Sequence, residues 1–256
     1  MDPETIICSY LGAGTVGMVV VLALESVLSY GFAILLFGSE TKTYLDEWNL
    51  QNEDRAGAID GYSTQHKDIR KHMVSRWQYV LFLVLGSYIA VAMVEEGVKY
   101  CSLMAVRRFR AVTSEADYVT YAMASALGMG TVESVAFIYQ ACQSESGPKI
   151  AIFVFQRAFL GAPGHAMTSC LLAINVIRRD LRGESMSLWQ VMRLPVFLHG
   201  TFDFVLFYIS AVDGNLGWVP PENGISLILV LMLAIGMPLV TLFILRHQTR
   251  RYGIRL

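Results

Sequence analysis

The sequence brings Glu95, Glu96 and Lys99 into one helical turn, in Val94-Glu95-Glu96-Gly97-Val98-Lys99. Spacings of three and four put the ammonium near both carboxylates on one face. Two adjacent carboxylates beside a cation suit acid/base work, because mutual repulsion and desolvation raise one proton affinity while the other group stays ionised. The same pattern also serves as an interhelical salt bridge. A second group, His199-Gly200-Thr201-Phe202-Asp203, sets an imidazole and a carboxylate one turn apart, with Asp203 placed to fix the tautomer of His199. His165 follows Gly161-Ala162-Pro163-Gly164, a stretch that breaks a straight helix and opens polar backbone, tolerated in a bilayer only where protein or water lines it. Glu133 follows Gly128, Gly130 and Thr131, small residues that let helices approach closely. Its carboxylate either enters the same cavity or braces the bundle. Glu25 and Arg157 are less informative and read as an inter-span ion pair.

The elements that must position these groups are apolar. The chain has 256 residues, 54% hydrophobic and 16% charged, with a mean hydropathy of +0.47; soluble domains carry about 25% charged residues. Runs long enough to cross a hydrocarbon core, roughly 20 residues at 1.5 Å each, occur at Ile6–Phe37, Tyr79–Met104, Tyr118–Cys142, Ile150–Ile177, Leu194–Val212 and Ile225–Leu245. The expected fold is all-α: a polytopic membrane bundle of about six transmembrane helices, the fourth broken before His165, forming a single integral-membrane domain over residues 1–256. The N-terminus opens on Asp2 and Glu4, which does not read as a cleavable signal peptide. An ionisable side chain at mid-bilayer costs at least about 2.5 kcal/mol on insertion scales, so such groups normally face a bundle interior and mark function. Counted from the span ends at about 1.5 Å per residue, the acidic and imidazole groups fall at depths compatible with one cavity.

Arginines follow the second, fourth and sixth runs: Arg107, Arg108 and Arg110; Arg178, Arg179 and Arg182; Arg246, Arg250, Arg251 and Arg255. Basic residues near span ends stay on the cytoplasmic side, which implies that both termini are cytoplasmic. The polar segment 38–78 then lies outside, as a folded cap or lid over the bundle or as a solvated connector. With 20 basic against 21 acidic residues, no global field exists to hold a nucleic acid. The four cysteines lie far apart without CxxC pairs, so neither a disulfide framework nor a thiolate metal site is indicated; they read as small packing residues. Gly12-Ala13-Gly14-Thr15-Val16-Gly17 matches the dinucleotide pattern GxGxxG but lies in a membrane run with no strands to follow, so close helix packing explains it better.

The order of these motifs, EExxK in one span, a Glu in the next, a His after a broken stretch and HxxxD later, resembles the PrsW family of intramembrane proteases. That family is related to the type II CAAX prenyl proteases and bacteriocin-processing enzymes. The match covers roughly Tyr79–Tyr208. It implies a glutamic-type intramembrane protease with Glu95 and Glu96 as catalytic carboxylates, His165 and His199 as supporting histidines, and Lys99, Glu133 and Asp203 in support. Asp203 stands where the CAAX enzymes usually have Asn, and Lys99 where they have Arg one residue later; both departures favour the PrsW branch. An ionised Asp203 would repel an oxyanion, so a protonated Asp203 or a role in orienting His199 is implied.

On this reading a carboxylate of the Glu95/Glu96 pair, helped by His165 or His199, activates water for attack on a peptide bond of a membrane-associated protein or peptide. The cofactor is either absent or a zinc ion. In the zinc version His165, His199 and Glu96 form the ligand set and leave a fourth position for water, although no HExxH helix is present. Two rival readings use the same residues: a zinc-dependent lipid amidase of the ceramidase type, which lacks a third well-placed His here, and a proton-coupled transporter.

Overall fold

The structure, a computed structural model, describes residues 2–55, 64–110, 112–144, 147, 150, 151, 154, 157, 161–221 and 223–254. Among these residues every regular element is helical and no strand occurs. Helix α1 (Pro3–Gly12) runs through a π-helical turn (Ala13–Gly17) into α2 (Met18–Phe37); a short 3-10 turn (Gly38–Glu40) leads to α3 (Thr41–Arg55). Then follow α4 (Thr64–Val74), α5 (Trp77–Leu85), a π-helical segment (Gly86–Met93) and α6 (Val94–Phe109). The remaining elements are α7 (Glu115–Ser144), α8 (Ala162–Asp180), α9 (Leu188–Val212) and α10 (Gly224–Tyr252).

Among the described residues five continuous helical stretches are long and apolar enough to cross a membrane: Pro3–Glu53, Trp77–Phe109, Glu115–Gln143, Leu188–Val212 and Gly224–Tyr252. The chain is an integral membrane protein. The fourth expected span lies partly outside the described residues; its described part is α8, and Pro163 sits in the first turn of that helix. Proline is tolerated there because the first backbone N–H groups have no helical partner anyway.

Burial separates the helices by role. From His165 to Ile177 every residue of α8 except Met167 is buried, as expected for a helix that is apolar all round and enclosed by others. Its main neighbour is α7, with α9 and α10 on its other sides. By contrast α2 exposes Val19, Val27, Ile34 and Leu35, and α10 exposes Ile225, Ile228, Met232 and Phe243, the outward apolar faces that lipid requires. Three of the four cysteines are likewise exposed and only Cys170 is buried, so packing accounts for Cys170 alone.

The glycine-rich stretch near the N-terminus packs helices. A Cβ added at Gly128 of α7 would fall 2.0 Å from the Tyr10 carbonyl oxygen, and one at Gly14 would fall 2.8 Å from the Gly128 carbonyl oxygen. Backbone therefore meets backbone where α1 and its π turn cross α7, the close approach that small residues allow.

Polar contacts mark the two ends of the bundle, with ion pairs at one of them. At one end Arg107 reaches Asp180 at 2.8 Å, Arg182 pairs with Glu115 and donates to the Tyr252 carbonyl, and the Arg178 guanidinium stacks 4.0 Å from the Tyr252 ring centroid. The C-terminal ends of α6, α8 and α10 thus gather together. At the other end the polar segment contributes α3 and α4. Gln51 of α3 exchanges hydrogen bonds with the Leu216 backbone at 2.8 and 3.0 Å, Trp48 packs on Gly217, and Tyr44 is buried beside Phe37, Tyr79 and Phe82.

Candidate active site

The site is assembled by four helices that meet at α8. Glu95, Glu96 and Lys99 of α6 are 5%, 0% and 1% exposed, an ionic group withdrawn almost wholly from solvent. Such burial is tolerated only when the charges are paired and their lone pairs used. Glu96 Oε1 meets that requirement: it accepts from Lys99 Nζ at 2.7 Å and from Thr168 Oγ1 at 3.1 Å, and lies 2.9 Å from His199 Nδ1. Thr168 lies one turn beyond His165 on α8 and went unread in the sequence, although the spacing of three was the signal.

Each imidazole is oriented by a carboxylate. His165 Nε2 lies 2.8 Å from Glu133 Oε2, and the other Glu133 oxygen pairs with Arg157 at 2.8 Å. With Nε2–H donated to Glu133, a neutral His165 turns the Nδ1 lone pair inward; with Nδ1–H donated to Glu96, a neutral His199 turns Nε2 inward. These tautomers are assigned from the hydrogen-bond network. A Cβ at Gly130 would meet His165 Cδ2 at 3.1 Å, so glycine there lets the ring lie flat against α7. The two rings stand edge to face with centroids 5.4 Å apart.

The inward-facing nitrogens converge on Glu95. Its Oε2 lies 3.5 Å from His165 Nδ1, 3.9 Å from His199 Nε2 and 3.8 Å from Lys99 Nζ. One donor atom from each of Glu95, His165 and His199 falls within 4.8 Å of the others, a group able to hold a metal ion. Ligands at 2.0–2.1 Å around a tetrahedral ion stand roughly 3.3 Å apart, so the spacing fits an ion with small adjustment. The surroundings fit as well: Asp203 Oδ2 is buried, lies 3.3 Å from His199 Nε2 and accepts no hydrogen bond among the described residues. Glu96 points elsewhere, since its bonded oxygen holds Lys99, Thr168 and His199 from behind.

All seven residues singled out in the sequence as catalytic or supporting therefore meet in one place. They line or back a cavity of about 400 Å³ that also takes in Glu25 of α2 and Trp218. The expected Glu25–Arg157 pair does not form: Arg157 is turned to Glu133 and stacks 4.5 Å from the Phe137 ring.

A family model described as "PrsW family intramembrane metalloprotease" matches residues 68–241, which hold the whole Glu/His constellation. The chain belongs to the PrsW family. Protease PrsW of Clostridioides difficile (strain 630) is 29% identical over 129 residues, covering 48% of this chain and 52% of that protein. The chain thus spans about half the length of this curated PrsW relative. No solved structure matches it. The PrsW match begins in α4 and leaves α1, α2 and α3 outside.

Proposed function

We propose that the protein is a metal-dependent intramembrane peptidase that hydrolyses a peptide bond of a membrane-associated protein or peptide. The observation that carries this reading is the convergence of Glu95, His165 and His199 on one point inside a membrane bundle, in a chain of a family described as metalloproteases. Glu95 Oε2, His165 Nδ1 and His199 Nε2 would hold a divalent ion of borderline softness such as zinc. When bound, such an ion supplies a Lewis acid that activates water and polarises a peptide carbonyl.

The chain's own residues do the rest. Glu133 holds His165, and Glu96 holds His199, in the tautomers that face inward, the carboxylate support that ligating imidazoles usually have. Lys99 offsets the charge of the adjacent carboxylates. Asp203 Oδ2, which accepts no hydrogen bond among the described residues, is the acceptor best placed to take a proton from attacking water and return it to the leaving amine. Glu95, Glu96, Lys99 and His165 are nearly withdrawn from solvent, which strengthens these interactions.

One contact favours the metal-free glutamic reading: Lys99 Nζ lies 3.1 Å from His165 Nδ1, where an ammonium would occupy the lone pair a metal needs. The two readings separate in a peptide-release assay on purified protein in detergent, comparing the parent with Glu96→Gln and His199→Ala, with and without a chelator. Loss of cleavage in both variants, abolition by chelator and restoration by zinc are the expected results. Cleavage indifferent to the chelator would leave a metal-free Glu/His mechanism, and no cleavage by a folded parent would sink the peptidase reading.

We also infer that both termini face the cytoplasm and that α3 and α4 cap the opposite end. The gathered arginines of α6, α8 and α10 support this through the positive-inside rule. Protease-protection mapping with the C-terminus on the outer side would contradict it.

A further inference from the structure

One ionisable group in the cavity has no task in the mechanism above. Glu25 projects from α2, which lies outside the family-matched residues. Its Oε1 is buried and accepts no hydrogen bond among the described residues. Every other carboxylate around the cavity has a nitrogen against it: Glu133 has Arg157 and His165, Asp203 has His199, and Glu95 has Lys99 and both imidazoles. A carboxylate ionised without a partner in such surroundings carries a large desolvation cost, which a proton relieves in the empty cavity and a cation arriving from elsewhere relieves in the occupied one.

The rest of the α2 wall defines what brings that cation. Met18, Val21, Leu22 and Glu25 line the cavity at positions i, i+3, i+4 and i+7, one continuous helical stripe. Three apolar side chains are followed by a single acid one turn further along. A complementary occupant is an extended or helical apolar segment carrying one basic side chain.

We propose that Glu25 is a specificity-determining subsite that receives a Lys or Arg side chain of an otherwise apolar substrate segment bound across the cavity. The substrate class follows: membrane-embedded segments with a single basic residue close to the bond presented to Glu95, His165 and His199. This rests on the peptidase reading for the word substrate, but the cation preference is measurable by binding alone.

The test uses the full chain in lipid nanodiscs and apolar transmembrane peptides with a photo-crosslinker and one Lys, norleucine or Glu stepped through the central turns. A charge-assisted hydrogen bond is worth enough to favour the best-placed Lys peptide by at least about tenfold over norleucine. In Glu25→Gln that ratio falls to near one, and in Glu25→Lys the Glu peptide becomes the preferred one. The control substitution Leu22→Ala changes overall capture without changing the Lys-to-norleucine ratio. Equal capture of Lys and norleucine by the parent overturns the proposal, because a protonated Glu25 needs no cation. A Lys preference that persists in Glu25→Gln overturns it as well. Hydrolysis of the peptides without a Lys preference refutes the subsite alone, whereas a Glu25-dependent preference without hydrolysis refutes the peptidase reading alone.

Discussion

Lys99 is the cation on which the buried acidic group depends, and its removal has a magnitude the structure sets. Its Nζ lies 2.7 Å from Glu96, 3.1 Å from His165 Nδ1 and 3.8 Å from Glu95, on a side chain with no solvent exposure. Lys99→Met keeps the aliphatic bulk and removes the charge. Among the described residues Glu96 Oε1 would then keep Thr168 and His199 as donors, and Glu95 would lose the fixed positive charge of Lys99. Breaking a buried pair by deleting one partner costs about 3–5 kcal/mol, because the charge left behind stays buried and uncompensated. Against a total stability of about 5–15 kcal/mol that is a large fraction. Glu96→Gln in the same background removes one orphaned charge, so the double variant should recover about 1–3 kcal/mol relative to the sum of the single variants. The assay is reversible unfolding by SDS titration in mixed micelles, with chelator in every sample so that ion binding does not shift the apparent stability. Lys99→Met within about 0.5 kcal/mol of the parent, or strict additivity of the pair, would refute the view that Lys99 compensates the buried carboxylates.

Three further outcomes are expected. Gly128→Ala forces a Cβ to 2.0 Å from the Tyr10 carbonyl, so α1 and α7 must separate, and SDS unfolding should show a loss of about 1–3 kcal/mol; Gly12→Ala, where nothing lies within 4 Å of the added atom, should cost less than about 0.5 kcal/mol. Glu133→Gln weakens the carboxylate support of His165, and competition with a fluorescent chelator should show zinc affinity reduced about 10–100-fold; an unchanged affinity would contradict that support. Outside the membrane, hydrogen bonds from Arg178 at 2.6–3.0 Å hold the Glu184 carboxyl below its usual value of 4.5. A lowered value in the folded state gives an anchor that is complete above pH 4.5 and is lost only as pH falls through the lower folded value. Protection of the Glu184 amide, bonded to the Arg178 carbonyl at 3.0 Å, against hydrogen exchange relative to the intrinsic rate at each pH should therefore hold down to pH 4.5 and fall below it, and Glu184→Gln should remove the dependence.

Much of the site was legible because helical spacing is a local property. Glu95, Glu96 and Lys99 lie on one turn of α6 and His199 and Asp203 on one turn of α9, as their intervals of three and four require, and the cost of membrane burial drew attention to Glu133 and His165. What the intervals do not encode is rotation. Adjacent residues on a helix point about 100° apart, and which member of the Glu95/Glu96 pair faces His165 and His199 depends on how α6 is turned. The π-helical segment Gly86–Met93 immediately before it takes part in setting that turn; such segments carry no composition signal and recur near functional sites. Hence the sequence-based ligand set named Glu96, whereas the convergent group holds Glu95. The partner of Arg157 was hidden for a similar reason, since Glu25 and Glu133 are both carboxylates on apolar helices and only packing chooses between them. Polar composition alone also left segment 38–78 between cap and connector, because Gln51, Trp48 and Tyr44 gain their role from contacts with the distant 213–223 connection and α5.

The most direct test of the proposed metal centre is an equilibrium zinc titration of the purified parent, Glu95→Gln and Glu96→Gln, each checked for retained fold. The expected result is one zinc per chain in the parent, loss of binding in Glu95→Gln, and weaker but still stoichiometric binding in Glu96→Gln, where only the support behind His199 is altered. Parent-like binding in Glu95→Gln, or no binding by the folded parent, would contradict a metal site built on Glu95, His165 and His199.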